Sequence, residues 1–132
     1  MVTDYFQLFG LPRQFEVDLN LLNQRYFELQ KQYHPDIAKD NGVKSAEVNQ
    51  AYNTLKNRMK RAEYMAGKDL KACPALLLEI MELRENGDVE GAKLEIESLF
   101  KQFAITNDED KKNIFVRIKY LTKFVEDATS DT

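Results

Sequence analysis

Apolar residues recur along this chain at steps of three and four, the period of helices that bury one face. Leu19, Leu22, Tyr26, Leu29 and Tyr33 fall on one side of a helix predicted over 19–33. Asp18 stands where an N-cap is needed, and Pro35 disfavours helical geometry at His34, so the helix stops there. Before it, Thr3 is placed to cap a short helix through Phe9 that Gly10 ends, with Pro12 beyond. After it, a polar loop from Asp36 to Lys44 contains the turn signal Asn41-Gly42. Ser45 or a neighbour then opens a helix whose apolar stripe is Val48, Ala51, Tyr52 and Leu55. Past the basic residues Lys56, Arg58, Lys60 and Arg61, the run Ala62-Glu63-Tyr64-Met65 reads as a short connecting helix.

The second half has the same grammar. Residues 67–73 form the boundary, and Pro74 suits the first turn of a helix to about Glu85, closed by Asn86-Gly87. Asp88 caps the next, in which Val89, Ala92, Ile96, Leu99 and Phe103 keep a core period. Asn107 or Asp108 opens the last, with acidic residues in its first turn and Ile114, Ile118, Leu121 and Val125 on one face. No strand alternation or internal repeat stands out. The expected organisation is all-α: a module over 1–66, a linker over 67–73, an antiparallel three-helix bundle over 74–128 and a tail over 129–132.

Composition narrows the function classes. Of 132 residues, 43% are hydrophobic and 31% charged, the balance of a globular domain. The longest apolar run, Ala75 to Leu78, is far too short to cross a bilayer. The stretch from Met1 to Phe9 carries Asp4 and no basic residue, unlike a secretory signal or an Arg-rich transit peptide. A cytoplasmic location is expected, with an organelle matrix as the other option, and Cys73, the single cysteine, fits a reducing compartment. The net charge of −3 argues against a nucleic-acid partner. One histidine and one cysteine cannot furnish a four-ligand zinc or cluster site, so neither metal nor cofactor is expected. A Cys73–His34 nucleophile pair has nothing to orient its imidazole, and Glu79, Glu82 and Glu85 read as a solvated helix face rather than as acid–base machinery.

The informative motif is His34-Pro35-Asp36, at the exit of an amphipathic helix and ahead of a polar loop. With it come Tyr5-Phe6-Gln7-Leu8-Phe9-Gly10-Leu11 at the start, Tyr33 before the histidine, and Asn49-Gln50-Ala51-Tyr52-Asn53-Thr54-Leu55 in the following helix. This ordered set resembles the J-domain family of co-chaperones. Pro35 fixes the backbone and turns the loop outward, presenting His34 and Asp36 to solvent. The resemblance implies that His34, Pro35 and Asp36 engage a DnaK-class ATPase, with Arg25 and Lys31 as electrostatic contacts on the helix. Arg61-Ala62-Glu63-Tyr64 and the run from Leu77 to Glu85 narrow the resemblance to the HscB-type branch. That branch implies an N-terminal J-domain hairpin plus a C-terminal three-helix bundle, in an L-shaped or compact arrangement. It implies an HscA-type chaperone and an IscU-type iron–sulfur scaffold as partners, and a non-catalytic role in cluster assembly and protein maturation.

The helix after Pro74 carries more apolar residues than one buried stripe uses. Leu76, Ile80 and Leu83 make a core face, while Leu77, Leu78 and Met81 project elsewhere, bordered by Glu82, Arg84 and Glu85. An apolar centre with a charged rim fits a protein-binding patch; packing against the first module through Tyr64 and Met65 is the other reading. On the last helix Val116 and Tyr120 lie off the main stripe. The resemblance places Tyr120 where the family uses an aromatic for scaffold contact, so the expected scaffold-binding set is Leu77, Leu78, Met81, Glu82, Glu85 and Tyr120. A generic J-protein, with another client or a dimerisation bundle, is the competing expectation.

Overall fold

The computed structural model describes residues 4–34, 42–67 and 70–130. Among them are seven helices and no strand: α1 Tyr5–Leu8, α2 Leu19–Gln32, α3 Val43–Lys56, α4 Arg58–Ala66, α5 Pro74–Asn86, α6 Val89–Ile105 and α7 Asp108–Thr129. The chain divides into two compact units, Met1–Tyr64 and Met65–Thr132.

In the first unit the cap of α1 is Asp4, whose Oδ1 accepts from the amides of Phe6 at 2.8 Å and Gln7 at 3.4 Å. Thr3, expected in that role, lies outside the described residues. Gly10 closes the turn in the left-handed region (φ 64°), where a side chain would be strained. Asp18 caps α2 as expected, its carboxylate accepting from Leu21 N at 3.1 Å. Gly42, left-handed at φ 82°, precedes α3, which begins at Val43 rather than at Ser45. The core is Phe6, Phe9, Leu11, Phe15, Leu22, Val48, Ala51, Leu55 and Ala62.

Helix α2 contributes one buried residue to the hairpin with α3, Leu22, and a polar ladder adds to it. Tyr26 stacks on Tyr52 with ring centroids 4.0 Å apart. The Tyr26 hydroxyl donates to Asn49 Oδ1 at 2.6 Å, the Tyr52 hydroxyl to Asn23 Oδ1 at 2.7 Å, and Ser45 Oγ to Gln30 Oε1 at 2.7 Å. Such directional bonds fix the register of two helices whose apolar contact is narrow. Arg61 on α4 is buried. Its Nη1 donates to the Leu55 carbonyl at 2.6 Å, one of the orphan acceptors ending α3, and its guanidinium lies 4.8 Å from the Phe15 ring centre. Burial lowers its pKa, partly opposed by Glu16.

In the second unit Pro74 occupies the first turn of α5, and Gly87, left-handed at φ 69°, ends it with its amide on Leu83 O at 2.7 Å. Asp88 caps α6 through Gly91 N at 3.0 Å, and Asn107 caps α7 through Asp110 N at 2.9 Å. Helices α6 and α7 form an antiparallel hairpin around Ala92, Ile96, Leu99, Phe100, Phe103, Phe115, Ile118 and Leu121. At the turn, buried Lys111 donates to the Thr106 carbonyl at 2.6 Å and sits 5.5 Å from the Phe103 ring centre. Helix α5 packs on α7 through Leu76 and Ile80.

The core stripe of α7 differs from the expected one. Ile114 and Val125 are only half-buried, whereas Phe115, Val116 and Phe124 are buried with Ile118 and Leu121. Since α7 is covered by α6 on one side and α5 on another, its buried arc is wider than a single-sided stripe. Val116 is therefore core, not surface.

Candidate functional site

Two surfaces carry the residues singled out by sequence, one in each unit. On the first, α2 ends at Gln32. Tyr33 caps it, its amide on Leu29 O at 2.9 Å, and His34 follows as an exposed residue. The helix axis and its polar ladder thus deliver His34 to the end of a rigid rod. Pro35 and Asp36, and the loop through Asn41, lie outside the described residues. Arg25 and Lys31 are both exposed on α2, but six positions put them about 120° apart around the helix. Arg25 leans toward the end of α1, where a Cβ added at Gly10 would stand 3.7 Å from its Nη1. Lys31 points away from the hairpin core together with Glu28, so the exposed face is mixed in charge.

On the second surface, α5 splits into two faces. Leu76 and Ile80 are buried and Leu83 is half-buried, while Leu77, Leu78 and Met81 are 43%, 60% and 60% exposed. At about 100° per residue the exposed three lie within an arc of roughly 100°, centred about 140° around the axis from the anchored face. Glu82 and Glu85, both exposed, border them. Together these three large side chains form one contiguous exposed apolar patch on a well-anchored helix rather than scattered exposure.

Ion pairs hold this helix in place. Arg117 of α7 bridges two neighbours, Nη2 to Glu79 of α5 at 2.6 Å and Nε to Glu95 of α6 at 2.7 Å. The hydrogen bonds to Glu79 and then Glu95 raise the Arg117 pKa, so it stays charged throughout the working range. Arg84 of α5 meets Asp127 of α7 at 3.1 Å, and Lys123 meets the same carboxylate at 3.1 Å. These contacts make α5 and α7 parallel, and Met81 and Tyr120 both fall between the two levels they define. Tyr120 is half-buried on α7. Glu79 is thus a structural tie, not the free surface carboxylate its spacing implied.

Sequence periodicity missed this brace, because it speaks of neighbours within a helix and not of pairs between helices. It also missed Phe27, 62% exposed on α2. Its distance from Leu22, five residues and therefore most of a half-turn around the axis, was the available signal. Cys73 is exposed and precedes α5 without a side-chain capping bond. Among the described residues no group of three or more His, Cys, Asp or Glu is placed to hold a metal ion, and no helix is long and apolar enough to cross a membrane.

Residues 4–64 match the DnaJ domain family, which makes the first unit a J-domain. Over its greater length the chain is 36% identical across 137 residues to a co-chaperone protein HscB homolog of Aliivibrio fischeri (strain MJ11), covering 91% of this chain and 80% of that relative. A homolog from Aliivibrio salmonicida (strain LFI1238) is 41% identical over 100 residues, 63% of this chain and 58% of its own. The solved chaperone HscB from Vibrio cholerae superposes with a TM-score of 0.72 at 27% identity, covering 97% of this chain and 96% of that one. Human co-chaperone protein HscB shares the fold, with a TM-score of 0.71 at 24% identity over 97% of this chain and 81% of its own. The chain belongs to the HscB family of co-chaperones.

Proposed function

We propose that this co-chaperone stimulates ATP hydrolysis by a DnaK-class, HscA-type chaperone and delivers to it an IscU-type scaffold, supporting iron–sulfur cluster assembly in the cytoplasm. His34, Pro35 and Asp36 contact the chaperone's nucleotide-binding domain, aided electrostatically by Arg25 and Lys31. Leu77, Leu78 and Met81, with Glu82, Glu85 and Tyr120 around them, take the scaffold. Residues 67–73 join the two modules. The chain acts by binding alone: it contributes no reacting group, and the chemistry of hydrolysis stays with the chaperone.

The observation that carries this reading is the division of α5 into an anchored face and an exposed apolar face, in a chain that also bears a J-domain. A helix held by Leu76, Ile80 and the Arg117 brace keeps three apolar side chains in water at a standing cost, which an obligate client surface explains. Holding the client on one module while the other docks on the chaperone raises the local concentration of client at the closing chaperone.

The test is single-turnover ATP hydrolysis by the chaperone with the native chain and with Asp36→Asn. Acceleration by the native chain that the variant loses, while its circular dichroism spectrum is unchanged, is the expected result. Equal acceleration by both would remove the His-Pro-Asp segment from the mechanism.

A further inference from the structure

We infer that Phe27 is an apolar anchor for the chaperone on the outer face of α2, setting how tightly and how selectively this J-domain docks. The inference rests on the reading above that α2 meets the chaperone. Phe27 is 62% exposed, although α2 is otherwise fixed by a ladder that uses Asn23, Tyr26 and Gln30 on its inner side. Its ring contact within the chain is a tilted approach of Tyr26, centroid to centroid 5.5 Å. Five positions from Leu22 place it about 140° around the axis from the buried leucine, so no small rotation of α2 would bury it. Gln24, Glu28 and Lys31 share that face, all polar and all exposed. Lys31 follows Phe27 by four residues on the same side of α2, in the last turn before the chain leaves the helix toward His34. The ring thus lies on the side of α2 that Lys31 continues to the helix end, two residues before His34.

The occupant follows from area and setting. One ring offers far less than the ~1,200 Å² that a stable interface buries in total, so Phe27 cannot support a dimer of this chain by itself. It fits instead as a single aromatic anchor inside a larger, charge-bearing contact, the arrangement in which aromatic residues dominate binding. The matching surface on the chaperone is an apolar pocket rimmed by acidic groups that meet Lys31. Covering the exposed part of a phenylalanine corresponds to about a tenfold gain in affinity.

The experiment is steady-state stimulation of the HscA-type chaperone, titrated with the native chain, Phe27→Ala, Phe27→Leu and His34→Gln, at about 50 and 300 mM salt, a range over which exposed charge pairs are progressively screened. Expected for Phe27→Ala is a half-maximal concentration raised about tenfold at both salt levels, with unchanged maximal stimulation and thermal midpoint, and with Phe27→Leu close to native. Phe27→Ala equal to native while His34→Gln is inactive would overturn the anchor and leave the co-chaperone reading standing. Absence of stimulation by the folded native chain would overturn that reading and the anchor with it. A native chain that sediments as a dimer, with Phe27→Ala monomeric, would overturn the assignment of the ring to the chaperone.

Discussion

Ile80 and Leu78 stand two residues apart on α5, and replacing each by alanine should separate the two jobs of that helix. Ile80 is 6% exposed and packs toward α7. Its truncation removes buried methylenes and leaves a cavity, a loss of about 2–4 kcal/mol. With a urea slope of ~1.5–2 kcal/mol per molar, the unfolding midpoint of the second unit falls by about 1–2.7 M. Leu78 is 60% exposed, so its truncation should change stability by no more than ~0.5 kcal/mol. Scaffold binding should respond in the opposite sense. Covering three-fifths of a leucine contributes about 1–2 kcal/mol, so Leu78→Ala should weaken scaffold binding roughly 5- to 30-fold. Urea unfolding followed by circular dichroism and calorimetric titration with the scaffold give both numbers. A Leu78→Ala protein that unfolds much earlier than native, or that binds the scaffold unchanged, would refute the division of α5 into an anchoring and a binding face.

The brace behind that helix makes two further predictions. Arg117→Met loses hydrogen-bonded ion pairs to Glu79 and Glu95, whose carboxylates are half exposed, so the expected destabilisation is about 1–2 kcal/mol, shrinking in ~1 M salt. Urea midpoints at low and high salt measure it, and a loss that does not change with salt would assign the effect to packing instead. Lys123 and then Arg84, by hydrogen bonding to it, hold the Asp127 carboxylate below its usual range. A carboxylate with a lowered folded pKa binds its proton first in the unfolded chain. Its contribution is therefore full above the ordinary value near ~4 and is lost as pH falls through the folded one. The thermal midpoints of native and Asp127→Asn proteins should differ at neutral pH and converge in acid; a constant gap would contradict the linkage.

Much of this architecture was legible in the sequence because helices announce their ends chemically. Asp18, Asp88 and Asn107 accept from backbone amides where their types and places implied, and Gly87, left-handed, ends α5 as the Asn86-Gly87 pair implied. At α1 the sequence pointed to Thr3 as the cap, whereas the structure shows the carboxylate of its neighbour Asp4 in use. Periodicity served α6 at Ala92, Ile96, Leu99 and Phe103 but left out buried Phe100 and included half-buried Val89; it failed further for α7, where contacts from α5 and α6 bury Phe115, Val116 and Phe124 beyond the anticipated stripe. The patch of Leu77, Leu78 and Met81 was visible as an apolar excess on one helix. Arg117 was not, since its partners lie 22 and 38 positions away on other helices. Phe27 was not singled out, although its place five residues from Leu22 put it away from the buried side of α2.

On the proposed function, one chain couples a client surface to a chaperone-activating surface. The most direct measurement is steady-state ATP turnover by the HscA-type chaperone with and without the scaffold, comparing the native chain with a Leu78→Ala, Met81→Ala double variant. Scaffold and native chain together should accelerate turnover well beyond the sum of their separate effects. The variant should retain its scaffold-free stimulation and lose the synergy. Synergy of equal size with the variant, or no synergy with the native chain, would contradict it.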